Sequence, residues 1–215
     1  MNKLMITAAG VALLGVSSLA SAGVGVGVKA STLGAGIELG VPLSESFVVR
    51  GALNKYSKGD DQTIDGIDYT ADLDLKSTAL FLDWHPMQGS FHLTVGYVNS
   101  GSELSATATP VGVVDIGGNS YDGSTLDFTL NGLVDLGSGP YLGLGWGNVP
   151  AAGFGFTFEL GAVQQGTPTA SLTASGADAG LISQADLDQE EQNMQNDLDE
   201  FKLYPVVSIG LSYGF

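Results

Sequence analysis

Residues 201–215, reading F-K-L-Y-P-V-V-S-I-G-L-S-Y-G-F, constrain the fold more than any other stretch of the chain. Counting back in steps of two from the last residue gives Phe215, Tyr213, Leu211, Ile209 and Val207, then Leu203 and Phe201 beyond Pro205. The intervening positions are Gly214, Ser212, Gly210, Ser208, Tyr204 and Lys202. Side chains two apart share one face of a β-strand, so this segment has one apolar face and one small, polar face. A strand of that kind suits a boundary between an apolar exterior and a polar interior.

The same rule recurs along the chain. Val24, Val26 and Val28 alternate with glycine, and Leu33, Ala35, Ile37, Leu39, Val41 and Leu43 alternate with Gly34, Gly36, Glu38 and Gly40. The phase changes between Val28 and Leu33, which favours two strands in 23–43 over one bent strand. Later strands are expected from Phe47, Ile67, Phe91, Leu126, Phe154 and Phe201, with Leu80, Leu82 and Trp84, then Leu142, Leu144 and Trp146, on the apolar face. Leu73 and Leu75 have the opposite phase to Leu80, so either a bulge near Ser77 resets the face or that part stands above the apolar belt. Residues 101–125 pattern weakly and suggest a small hairpin turning at Gly117-Gly118-Asn119. Residues 173–199 are the longest irregular stretch, and Ser183 followed by Q-A-D-L-D-Q-E-E-Q reads as the cap and start of a short acidic helix or as a solvated acidic loop.

The strand count is eight. Turns at 42–46, 87–90 and 149–153 are short, whereas connections at 58–66, 101–125 and 173–199 are long. Short turns on one side and long loops on the other, with an even strand number, are properties of membrane barrels. Phe47, Trp84, Phe91, Trp146, Phe154, Tyr213 and Phe215 all fall beside the short turns or the terminus, where an interfacial aromatic girdle belongs.

The opposite end of the chain agrees. Residues 1–22 have a basic start with Lys3, an apolar middle and Ala20-Ser21-Ala22 before Gly23, the pattern of a secretory signal peptide. The expected domains are therefore a signal peptide at 1–22 and one barrel at 23–215. Mean hydropathy is +0.22, yet beyond residue 22 no run matches the roughly 20 apolar residues of a membrane helix. The chain holds 23 Asp and Glu against seven Lys and Arg, a balance that repels nucleic acid. With no cysteine, disulfides, thiol nucleophiles and thiolate metal sites are excluded.

The segments L-F-L-D-W-H-P, P-Y-L-G-L-G-W-G-N and Y-P-V-V-S-I-G-L-S-Y-G-F resemble the small eight-stranded outer-membrane barrels of Gram-negative bacteria. The resemblance implies an all-β fold, a transmembrane antiparallel up-and-down barrel of eight strands, with the acidic helix in its last extracellular loop. It further implies location in the bacterial outer membrane after export through the periplasm. Implied partners are outer-membrane lipid and lipopolysaccharide, and the barrel-insertion machinery, which would read the last strand through Phe215, Tyr213 and Leu211. Oligomeric state is left open.

With these registers, Lys29, Glu38, Arg50, Asp83, His85, His92, Glu159 and Lys202 point into the lumen. One reading is a proton-linked or metal-binding cluster. The other, preferred, is a salt-bridged plug, because eight strands leave an interior that side chains fill. No catalytic residue, cofactor or metal is assigned. A lipid-A deacylase would need its serine, histidine and carboxylate at the extracellular end, and both histidines fall at the periplasmic end. Asp60, Asp61, Asp65, Asp68, Asp72 and Asp74, with the acids of 186–200, read as solvated outer loops; Glu191 stands where a calcium loop requires glycine. A structural or surface-interaction role leads, followed by a narrow solute channel lined by glycines 34–40 and 143–147, then a lipid-A-modifying enzyme.

Overall fold

The computed structural model describes residues 23–64 and 67–215, so the expected signal peptide and Asp65 lie outside the described residues. Eight antiparallel strands close a ring in the order β1 (Gly25–Ser31), β2 (Gly34–Pro42), β3 (Phe47–Ile64), β4 (Ile67–Trp84), β5 (Phe91–Ser100), β10 (Gly139–Gly147), β11 (Gly153–Gln164) and β13 (Leu203–Gly214), which returns to β1. Residues 23–43 form two strands, and Gly34 takes up the reversal at φ +112°. On the outer face Leu80, Leu142, Val207, Ile209 and Leu211 are exposed, as hydrocarbon-facing residues should be.

The aromatic girdle forms at the end where Phe215, the start of β1 and the short turns meet. Phe91 packs edge-on against Trp146 at 5.6 Å, Phe154 against Tyr213 at 5.0 Å, and Tyr213 against Phe215 at 5.2 Å, while Phe47 pairs with Trp84 across β3 and β4. This end is the periplasmic one, since short turns mark that side of such barrels.

At the other end the sheet leaves the ring. β4 pairs with β5 over residues 77–84 and with β6 (Glu103–Pro110) over 67–74, so its upper half carries a second sheet. β9 (Thr129–Asp135) and β12 (Thr169–Ser175) extend that sheet, giving β3, β4, β6, β9 and β12 above the membrane. β7 (Val113–Ile116) and β8 (Asn119–Asp122) form a hairpin, and α1 (Gln184–Leu198) begins after Ser183. A second core of Ile116, Phe128, Leu172, Ile182 and Leu187 joins the hairpin, the helix and the sheet. The extracellular part is thus a packed unit.

Three expectations are corrected. Residues 58–64 are not loop: β3 and β4 stay paired from Phe47 opposite Trp84 to Ile64 opposite Ile67. That unbroken register also chooses between the two alternatives for Leu73 and Leu75: there is no bulge near Ser77, and this part of β4 stands above the ring with Leu75 buried on its inner side. The strand expected over 126–148 is two strands, β9 and β10, separated at 136–138; a Cβ at Gly139 would strike the Gln164 carbonyl, so the chain crosses β11 closely there. Finally, 173–175 belong to β12, and the irregular stretch is shorter than its composition implies. In each case strand faces that both meet water or a second core lack the clear alternation that a lipid boundary imposes.

Candidate functional site

Arg50 is the hub of the lumen. It sits on the inner face of β3 and is fully buried, at 2% exposure. Its guanidinium holds Asp83 of β4 through two bonds, Nε to Oδ2 at 2.5 Å and Nη2 to Oδ1 at 2.8 Å. Nη1 donates to Glu38 of β2 at 2.8 Å, and Nη2 donates to Glu159 of β11 at 2.5 Å. Lys29 of β1 adds a 3.3 Å contact to Glu38. Thr94 donates to Asp83 at 2.8 Å, and the Tyr141 hydroxyl donates to Glu159 at 2.6 Å. One planar fork therefore engages three carboxylates from three different strands, the geometry for which arginine is better suited than lysine.

The histidines lie one layer nearer the periplasm, their rings 5.2 Å apart. Nδ1 of His85 is 2.8 Å from the Gly89 carbonyl, which can only accept, so the proton is on Nδ1. Nε2 of His85 has no hydrogen-bond partner among the described residues. His92 differs, because Nδ1 faces the Gly147 carbonyl at 3.1 Å and Nε2 faces Glu159 at 3.4 Å. Only the imidazolium satisfies both acceptors. In that form His92, Arg50 and Lys29 balance Glu38, Asp83 and Glu159.

Asp83, His92 and Glu159 also bring ligand atoms within 4.8 Å of one another, a spacing a metal ion could use. Arg50 already donates to both carboxylates, however, and its charge occupies the position a cation would take. The donor set fits a guanidinium better than a metal.

Apolar side chains lie on both sides of the network. Toward the outside, Phe81, Ala79, Val98, Tyr141, Val163, Leu33 and Val206 form a continuous core, and the Phe81 ring centroid lies 5.2 Å from the guanidinium carbon. Toward the periplasm, the turn at 148–152 folds inward: Val149 is 1% exposed, and a Cβ at Gly40 would come within 2.6 Å of it. A Cβ at Gly143 or Gly161 would overlap the Tyr141 ring, so these glycines make room for a side chain and do not line an open path.

Glu38, Arg50, Asp83, His85, His92, Glu159 and Lys29 are all buried inside the ring. Lys202 is the exception: it precedes β13 and is exposed at the extracellular rim, so the expectation of a lumen lysine there is corrected. Thr94 and Tyr141 were not singled out from the sequence, although both have inward phase on β5 and β10. The outer acids are less idle than a solvated loop implies. Asp186 accepts from Asn119 at 2.9 Å and from the Tyr121 hydroxyl, which that bond pushes above the usual tyrosine range. Glu190 accepts from the Gly117 amide at 3.2 Å.

The architecture matches solved structures. CarO2 of Acinetobacter baumannii superposes with a TM-score of 0.60 and 25% identity, over 90% of this chain and 98% of that one. The fold is that of the small eight-stranded outer-membrane barrels of Gram-negative bacteria. CarO of the same organism aligns with a TM-score of 0.60 and 21% identity, over 89% of this chain and 97% of that one. No protein-family model and no curated protein matches the sequence. In this barrel the charged network lies at the level of the membrane, and the sheet–helix unit stands outside it.

Proposed function

We propose that this chain is a non-enzymatic outer-membrane barrel with a filled lumen, serving as a rigid membrane anchor for an extracellular unit that carries a structural or surface-interaction role. The observation that carries this reading is the Arg50 network: a fully buried guanidinium holds strands β2, β4 and β11 together across the lumen. Supporting it are the apolar layers on both sides and the inward-folded periplasmic turn. The channel reading drew on glycine-lined inner faces, and the Tyr141 and Val149 side chains occupy the space beside several of those glycines. The deacylase reading lacks support at the extracellular end, since both histidines are buried at the other. Export through the periplasm and insertion through Phe215, Tyr213 and Leu211 belong to the same proposal.

The test is single-channel conductance of the refolded chain without residues 1–22, in planar bilayers, with heat-modifiable gel migration as the criterion of folding. A folded barrel that stays electrically silent is the expected result. Reproducible openings that respond to Arg50→Met would sink the filled-lumen reading and revive the channel.

A further inference from the structure

β12 is the last strand of the extracellular sheet. Among the described residues it has β9 as its strand neighbour on one side and no strand on the other. An unpaired margin is a template on which another chain can add a strand. The sequence of β12, T-A-S-L-T-A-S, has no charge and no proline to discourage that. The other free margin, β3 beyond its pairing with β2, carries Lys58, Asp60 and Asp61, the charged protection that natural edges use.

What stands beside β12 is α1, and it imitates a strand. The Gln195 side-chain amide accepts from the Ala170 amide at 3.0 Å and donates to the Pro168 carbonyl at 2.8 Å. One donor and one acceptor thus meet the carbonyl of one residue and the amide two residues on, the pair of groups that one residue of a parallel neighbour would satisfy. One helical turn earlier, Glu191 accepts from the Leu172 amide at 2.9 Å. The match is metric: four helical residues rise about 6 Å, and two strand residues about 6.6 Å. Buried Leu187 and half-buried Met194 hold the helix in register against the second core.

We propose that α1 is a surrogate edge strand that closes β12 against pairing with a second copy of the chain. A second copy fits because T-A-S-L-T-A-S is nearly symmetric about Leu172. Antiparallel pairing centred there sets Ala170 against Ala174, Ser171 against Thr173, and Thr169 against Ser175. Small residues face small and hydroxyls face hydroxyls, without a charge to repel.

The experiment replaces both capping side chains, Glu191→Ala with Gln195→Ala, changes that favour helix. The full barrel in detergent micelles is then sized by light scattering across a hundredfold range of concentration. Wild type is expected to stay monomeric, and so is Glu191→Gln with Gln195 intact, because the glutamine oxygen still accepts. The double variant is expected to become a concentration-dependent dimer, which adding Ala170→Pro weakens at least tenfold by deleting an edge donor. A double variant that stays monomeric throughout, with or without its helical signal, would overturn the proposal. So would a dimer indifferent to Ala170→Pro.

Discussion

At the scale of single residues, the lumen is governed by one cation. Arg50 compensates three buried carboxylates, so removing it leaves charge that water cannot reach. Arg50→Met should lower stability by about 3–5 kcal/mol, the range found when one partner of a buried pair is lost. Adding Asp83→Asn and Glu159→Gln, while leaving the Lys29–Glu38 pair intact, should restore most of that loss. Reversible urea unfolding in lipid vesicles checks both. If the triple variant is no better than Arg50→Met, the guanidinium acts through packing and not through charge. The inward phase of Glu38, Arg50, Asp83, His92 and Glu159 was legible from alternation alone. Which acid meets which base was not, since that depends on how far each strand is staggered around the ring. Lys202 shows the limit: it continues the phase of β13 but lies beyond the strand, where phase no longer dictates direction.

At the scale of elements, the β7–β8 hairpin turns on Gly117 and Gly118, at φ +59° and +91°. The two glycines are not equivalent. A Cβ at Gly117 would lie 2.6 Å from the Asp186 Cα at the start of α1, whereas Gly118 faces open space. Gly117→Val should therefore cost about 1–2 kcal/mol in backbone strain alone, and should also push the hairpin off the helix. Gly118→Asn should be tolerated, because asparagine enters this conformation readily. Hydrogen exchange in the first turn of α1 reads the difference, with acceleration expected only for the valine variant. The hairpin was legible because two glycines between β-forming residues mark such a turn. β6 and β12 were not, and β9 was legible only as the start of the strand expected over 126–148. Leu130 and Leu172 turn toward the second core, but Leu104 is exposed, and the opposite faces are rich in Thr and Ser, a pattern shared with ordinary loops.

At the scale of the whole molecule, the girdle sets the depth of every outward residue. Leu142 stands four residues from Trp146, about 10 Å into the apolar belt at the usual strand tilt, and Leu144 about half as far. Leu142→Arg should cost about 2–4 kcal/mol and Leu144→Arg less, since the penalty falls toward the interface. Equal costs in vesicle unfolding would contradict the depth assignment. The sequence by itself determined that this chain is a barrel of alternating strands and which charges within its ring strands turn inward, because a lipid boundary imposes a period of two that local composition records. Only the tertiary structure decided that one guanidinium gathers three carboxylates, that β4 serves two sheets, and that an acidic helix lies along an edge. Those outcomes depend on contacts between residues as distant as Arg50 and Glu159, or Ala170 and Gln195, and no local period encodes them.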